Sequence, residues 1–166
     1  MSQNDYIVII YSGKTNTGAN SIIANWIANG VKKSGLGVYG PIDINLENKS
    51  QKNTLLKIIE DSNGLIIGSG DYNGNIEPPL LDFFDDYLGA GFKSSFLASK
   101  VAGQFVTAGD AGTGAQPVLN DLSRLMMTFG ANIVTGGESR STHGKSGSRS
   151  WHVAPVSYTH LRAHET

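Results

Sequence analysis

Six residues carry the strongest chemical signal in the chain: Ser12-Gly13-Lys14-Thr15-Asn16-Thr17. They follow the apolar run Tyr6–Tyr11 and precede a helix-like stretch that begins near Gly18. A strand that stops at a hydroxyl-rich turn and opens a helix makes an anion site. The first helical N–H groups have no intrahelical acceptor, the positive end of the helix dipole points the same way, and Ser and Thr hydroxyls add neutral donors. Such a turn holds a monophosphate without an arginine. The pattern therefore points to a phosphorylated small ligand; an ordinary helix cap is the alternative.

Two further polar segments follow apolar runs. Residues 69–76 include Ser69, Gly70, Asp71, Tyr72, Asn73, Gly74 and Asn75, and residues 107–116 include Thr107, Ala108, Gly109, Gly112, Thr113, Gly114 and Gln116. Glycine, with 21 residues, clusters in these places, where tight turns or close approach to a ligand would use it.

The elements that must position these segments alternate strand and helix. Residues 6–11 read as a buried strand. Residues 17–33 read as a helix with Ile22, Ile23, Trp26, Ile27 and Val31 at helical spacing, stopped by Gly35. Residues 37–44 form a weaker strand, 50–60 a short helix and 64–69 a third strand. Pro78 and Pro79 fit the first turn of a helix carrying Leu80, Leu81, Phe84 and Leu88. Residues 101–107 read as the fourth strand. Pro117 opens a helix with Val118, Leu122, Leu125, Met126 and Phe129 on one face, and 132–135 reads as the last strand. Strands and helices in this alternation predict an α/β, doubly wound, five-stranded parallel sheet with helices on both faces. Ligands in such sheets lie beyond the carboxyl ends of the strands, where the three polar segments fall.

Composition narrows the function. The 166 residues predict one domain, with 39% hydrophobic and 16% charged content typical of a globular chain. A net charge of −1 gives no electrostatic case for nucleic acid or an anionic membrane. Without cysteine there is no disulfide or thiolate metal site, so redox chemistry has to come from a bound cofactor. No stretch approaches the roughly 20 apolar residues of a membrane span, and the first residues lack the basic flank of a signal peptide, so a cytoplasmic location is expected.

Several motif matches fail their context. Gly13-Lys14-Thr15 resembles the end of a Walker A loop, but Val8 stands where its first glycine belongs, and Gly144-Lys145-Ser146 fails likewise at Ser139. Gly35, Gly37 and Gly40 match Gly-x-Gly-x-x-Gly but lead into a strand instead of opening a helix. His160 and His164 have zinc-helix spacing in a segment without periodicity, and no metal site is expected. Asp82, Asp85 and Asp86 read as a solvated helix face, and His143 as a surface residue.

Over residues 6–137 the three polar segments together resemble the flavodoxin-like FMN-binding family. Ser12–Thr17 is similar to its phosphate loop, Ser/Thr-x-Thr-Gly-Asn-Thr. Gly68–Asn75, leading to Leu81–Phe84, is similar to its Gly-Ser-Pro-x-Tyr-x-Gly-Asn loop. Thr107–Gln116 looks like the Gly-rich loop of NAD(P)H:quinone oxidoreductases of the tryptophan-repressor-binding-protein type. Lys14 and Thr15 stand where the family prefers Thr and Gly, Gly70 where Pro or Thr is common, and Ala115-Gln116-Pro117 where Gly-Gln-Glu is usual.

The resemblance implies FMN as cofactor. Residues 12–17 would hold its phosphate, Tyr72 would stack on the ring, Asn73 and Asn75 would meet the ring's polar edge, and backbone from 108 to 114 would approach the other edge. It implies an oxidoreductase that takes hydride from NAD(P)H and reduces a quinone-like acceptor, with no side chain needed as catalytic acid or base, in a homo-oligomer. The alternatives are a flavodoxin-type electron carrier, which docks on a redox partner protein, and a cofactor-free binding module. Near-neutral charge and the lack of an aromatic in 107–116 favour the enzyme. Beyond the domain at 1–137, residues 138–155 are expected to be a polar loop. Residues 156–166 resemble a translated sequencing adaptor and are expected to be a non-native tail, which would leave the sheet without its last helix.

Overall fold

The computed structural model describes residues 5–13, 15, 17–88, 97–109, 115–134 and 153–155. Of the residues singled out above, Lys14, Asn16, Gly112, Thr113, Gly114, residue 135 of the last strand, residues 138–152 of the expected polar loop (with Ser139, His143, Gly144, Lys145 and Ser146), and the segment 156–166 with His160 and His164 lie outside these.

β1 (Tyr6–Tyr11) is apolar throughout because both of its faces are covered, and Val8, Ile9 and Ile10 have no exposed surface. It leads to α1 (Ala19–Lys33), β2 (Gly37–Asp43), a 3₁₀ turn at Ile44–Leu46, and α2 (Lys49–Asp61). A reciprocal Asn48–Gln51 capping box starts α2. β3 (Gly64–Tyr72) then turns back through β4 (Asn75–Ile76). α3 (Pro78–Phe83) starts on its two prolines and continues into a π-helical turn, Phe84–Leu88. The rest comprises β5 (Val101–Ala108), α4 (Gln116–Thr128), β6 (Asn132–Ile133) and β7 (Val153–Pro155).

The sheet order is β2-β1-β3-β5-β6, parallel along that path, which is the doubly wound arrangement expected. Alternate residues of β1 serve opposite faces. Ile7, Ile9 and Tyr11 pack with Ala24 and Ala28 of α1, while Val8 and Ile10 join a larger core with Leu55, Ile59, Leu80, Phe83, Leu122 and Met126 from α2, α3 and α4.

Three expectations change. Residues 69–76 are not a loop: Ser69 to Tyr72 extend β3, and β4 pairs with it antiparallel across the Asn73-Gly74 turn, where both residues have positive φ. Residues 153–155, expected within a polar loop, form β7 beside Val106, Thr107 and Ala108 of β5. Trp26 is 66% exposed instead of facing the sheet. Ala24 and Ala28 centre the buried stripe of α1, and position 26 lies about 200° round the helix from Ala24.

Candidate functional site

Parallel register brings the carboxyl ends of β1, β2, β3 and β5 to one edge of the sheet. Tyr11 pairs with Asp43 and with Gly68, and Gly70 pairs with Thr107. A cleft of about 470 Å³ opens there. Gly13, Asp43, Asn45 and Glu77 supply its polar lining, and Leu46, Tyr72 and the Pro78-Pro79 pair its apolar walls.

The segment after β1 divides into an inward and an outward part. Ser12 has no exposed surface, and its N–H donates to Gly68 O at 3.0 Å. The Ser12 hydroxyl donates to Glu77 Oε2 at 2.7 Å and accepts from Asn45 Nδ2 at 3.2 Å. The same Asn45 amide donates to Gly13 O at 2.6 Å. Asp43, also buried, accepts from the backbone N–H of Gly13 and of Asn45. Burial pushes the Asp43 carboxyl up from its ordinary value, and these hydrogen bonds pull against that shift. Ser12 and Gly13 therefore hold the loop in place. Thr15 and Thr17 are exposed, and Gly18 N–H donates to Thr15 O at 3.1 Å to turn the chain into α1. Among the described residues no side chain caps the N-terminus of α1 at Gly18, and its first turn contains no acidic residue.

The second segment also splits. Ser69 is buried, and its hydroxyl donates to Gly70 O and accepts from Glu77 N. Asp71 closes the hairpin by accepting from Gly74 N at 2.6 Å, and Asn75 Nδ2 donates to Asn73 O. Tyr72 reaches the 470 Å³ cleft. Asn75 instead lines a second, 210 Å³ pocket with Asp121, Arg124 and Leu125, so the hairpin directs Tyr72 and Asn75 to different places.

In the third segment Thr107 and Ala108 belong to β5 and are buried, and Gly109 is exposed. The Thr107 hydroxyl donates to Asn20 Oδ1. The Gln116 amide donates to Asn120 Oδ1, one turn along α4. Asp82, Asp85 and Asp86 are exposed, as a solvated helix face requires.

Sequence reasoning missed Asn20, Asp43, Asn45 and Glu77. Asp43, Asn45 and Glu77 lie at or just after the carboxyl end of a strand, Asn20 lies in the first turn of α1, and Glu77 precedes a Pro-Pro helix start, but no periodicity or motif marks them. The arrangement suits a phosphate at the start of α1: Thr15, Thr17 and the first-turn N–H groups are donors, and the two nearby carboxylates already accept from protein groups. The cleft beside it offers one aromatic and several apolar walls to a planar group. Among the described residues no helix is long and apolar enough to cross a membrane.

No protein-family profile matches the chain, and no curated protein matches it. Solved structures do. Flavodoxin 1 from Bacillus cereus is 22% identical, over 78% of this chain and 80% of that one, with a TM-score of 0.60. An NADH:FMN oxidoreductase in its apo form is 17% identical, over 79% and 72%, with a TM-score of 0.65. A WrbA-like protein from Agrobacterium tumefaciens, described as a flavodoxin, is 17% identical, over 83% and 87%, with a TM-score of 0.59. With its 2-1-3-5-6 sheet and these likenesses, the chain has the flavodoxin-like fold.

Proposed function

We propose that this protein binds FMN and works as an NAD(P)H-dependent oxidoreductase on quinones or similar acceptors. The observation that carries the reading is the start of α1, among the described residues free of capping side chains and of acidic residues in its first turn, with exposed Thr15 and Thr17 at the β1/β3 switch point of the sheet. Thr15, Thr17 and the first-turn N–H groups would hold the phosphate. Tyr72 would lie against the ring system, a use suited to a large aromatic with a polar tip. When bound, FMN supplies the hydride and electron chemistry that no side chain here can supply. The chain supplies binding and orientation, and no residue is assigned as acid or base.

The likeness to flavodoxins favours a second reading, an electron carrier that docks on a redox protein. Against it stand the net charge of −1, weak for electrostatic steering, and the absence of any aromatic in 107–116 to cover the second ring face.

The test is a titration of FMN fluorescence with the full chain and with Thr17→Glu. Thr17 is exposed, so the substitution leaves the fold intact. A carboxylate about 4 Å from the phosphate costs on the order of 4 kcal/mol near a surface, so binding should fall by more than about a hundredfold. Equal affinity in the two proteins sinks the phosphate assignment. No quenching by folded wild-type chain leaves the cofactor-free binding module. Reduction of bound FMN by added NAD(P)H separates enzyme from carrier.

A further inference from the structure

Asn20, the second residue of α1, is buried and uses both ends of its amide. Its Nδ2 donates to Ser12 O at 2.6 Å, and its Oδ1 accepts from the Thr107 hydroxyl. The orientation of the amide follows from chemistry: a backbone carbonyl only accepts, so the NH₂ end must face Ser12 and the oxygen must face Thr107. One side chain thus joins the loop after β1 to the end of β5, 87 residues away from Thr107 to Asn20.

Gly70 makes the space for this. It pairs with Thr107 across β3 and β5. A Cβ on Gly70 would stand 3.3 Å from Asn20 Nδ2 and 2.2 Å from Glu77 Oε1. Ser12 is consequently gripped twice over the bare glycine, through its carbonyl by Asn20 and through its hydroxyl by Glu77.

We infer that Thr107 and Asn20 are positioning residues for the phosphate end of the ligand, with Thr107 acting on the first loop through Asn20 instead of touching the ring. This rests on the FMN reading of the site. The Thr107 hydroxyl has one hydrogen, and it goes to Asn20; turning it to a ligand would leave the buried Asn20 carbonyl without its donor. The role differs from the one its place at the start of the Gly-rich segment suggests.

The experiment uses the full chain with Thr107→Val, which keeps the shape and removes the hydroxyl, and Thr107→Ser, which keeps the hydroxyl. The probes are FMN and riboflavin, which carries the same ring system without the phosphate. Thr107→Val should weaken FMN about tenfold, the worth of one buried hydrogen bond, and leave riboflavin affinity unchanged. Thr107→Ser should restore FMN affinity. Equal losses for both probes would mean direct ring contact and overturn the inference, as would no loss for either.

Amide exchange without ligand supplies an independent readout. The segment 12–18 should exchange faster in Thr107→Val than in wild type or Thr107→Ser, and equal exchange in all three overturns the link between the loops. Failure of wild type to bind FMN overturns the function reading by itself, and the exchange measurement still decides the link.

Discussion

Replacing Gly70 by alanine tests whether the buried carboxylate of Glu77 organises the site. Gly70 lies within β3, where its backbone is extended, so alanine meets no conformational barrier. The obstacle is steric. The new Cβ would stand 2.2 Å from Glu77 Oε1, whereas ordinary contact begins at 3.4 Å, so the carboxylate must retreat by about 1.2 Å. That movement breaks the 2.7 Å bond from the Ser12 hydroxyl, and Ser12, with no exposed surface, has no bulk water to turn to. A hydrogen bond to a charged group contributes about 1.5–3 kcal/mol. Removing a glycine from the unfolded chain returns about 0.4–1 kcal/mol. The net loss is about 1–2 kcal/mol, equivalent to a fall in Tm of about 3–6 °C for a chain of this size. Urea unfolding of wild type, Gly70→Ala, Glu77→Ala and the double variant measures it. With Glu77 already cut back to alanine only the 3.3 Å approach to Asn20 Nδ2 remains, and the Gly70→Ala step should become close to neutral. An equal cost in both backgrounds would refute the steric argument.

Asp43 has its pKa raised by burial, so its folded value lies above the unfolded one and its ionisation opposes folding. Wild type should therefore lose stability as pH rises from 3.8 through the folded pKa of Asp43, and Asp43→Asn should lack that loss. Unfolding free energies from below pH 3.8 to neutrality check this, and parallel curves for the two proteins would sink it. Tyr72 is 43% exposed at the cleft, so Tyr72→Ala should keep the fold while weakening FMN binding about tenfold, the scale of one aromatic contact with its buried area. An unchanged affinity, measured by the same fluorescence titration, removes the ring role of Tyr72.

The order and type of the main elements were legible because a doubly wound sheet writes its burial into the sequence. β1 is buried on both faces and reads as an unbroken apolar run, and α4 shows Val118, Leu122 and Met126 as a stripe that the structure buries. The errors arise where burial is carried by residues without a strong signal. β3 runs on through Ser69 and Gly70, which look like loop residues, because their neighbours Val106 and Thr107 in β5 supply the ladder. Trp26 suggested a buried face of α1, but two alanines let that helix approach the sheet closely, and the large ring falls on the outside. β7, which the sequence reading placed in a loop, has three residues, too few for any period to show.

The site is legible to a different degree, for a physical reason. A motif reports that hydroxyls and glycines are present at a turn; it does not report which way each hydroxyl points. That direction is set by partners far away in sequence. Glu77, 65 residues from Ser12, turns the Ser12 hydroxyl inward, and Asn20 does the same for Thr107. Of the described loop residues read as phosphate ligands, Ser12 and Gly13 are therefore the frame, and Thr15 and Thr17 are the part that faces outward. The same division accounts for two carboxylates beside the proposed anion site. Ser12 donates to Glu77, and the Gly13 and Asn45 N–H groups donate to Asp43, so each negative charge is already met by protein dipoles and adds stiffness to the loop. Such a frame matters more for a turn that binds through neutral donors than for one that uses an arginine. Without a full opposite charge, affinity rests on several dipoles aimed at one point, and that aim is lost as soon as the loop can move.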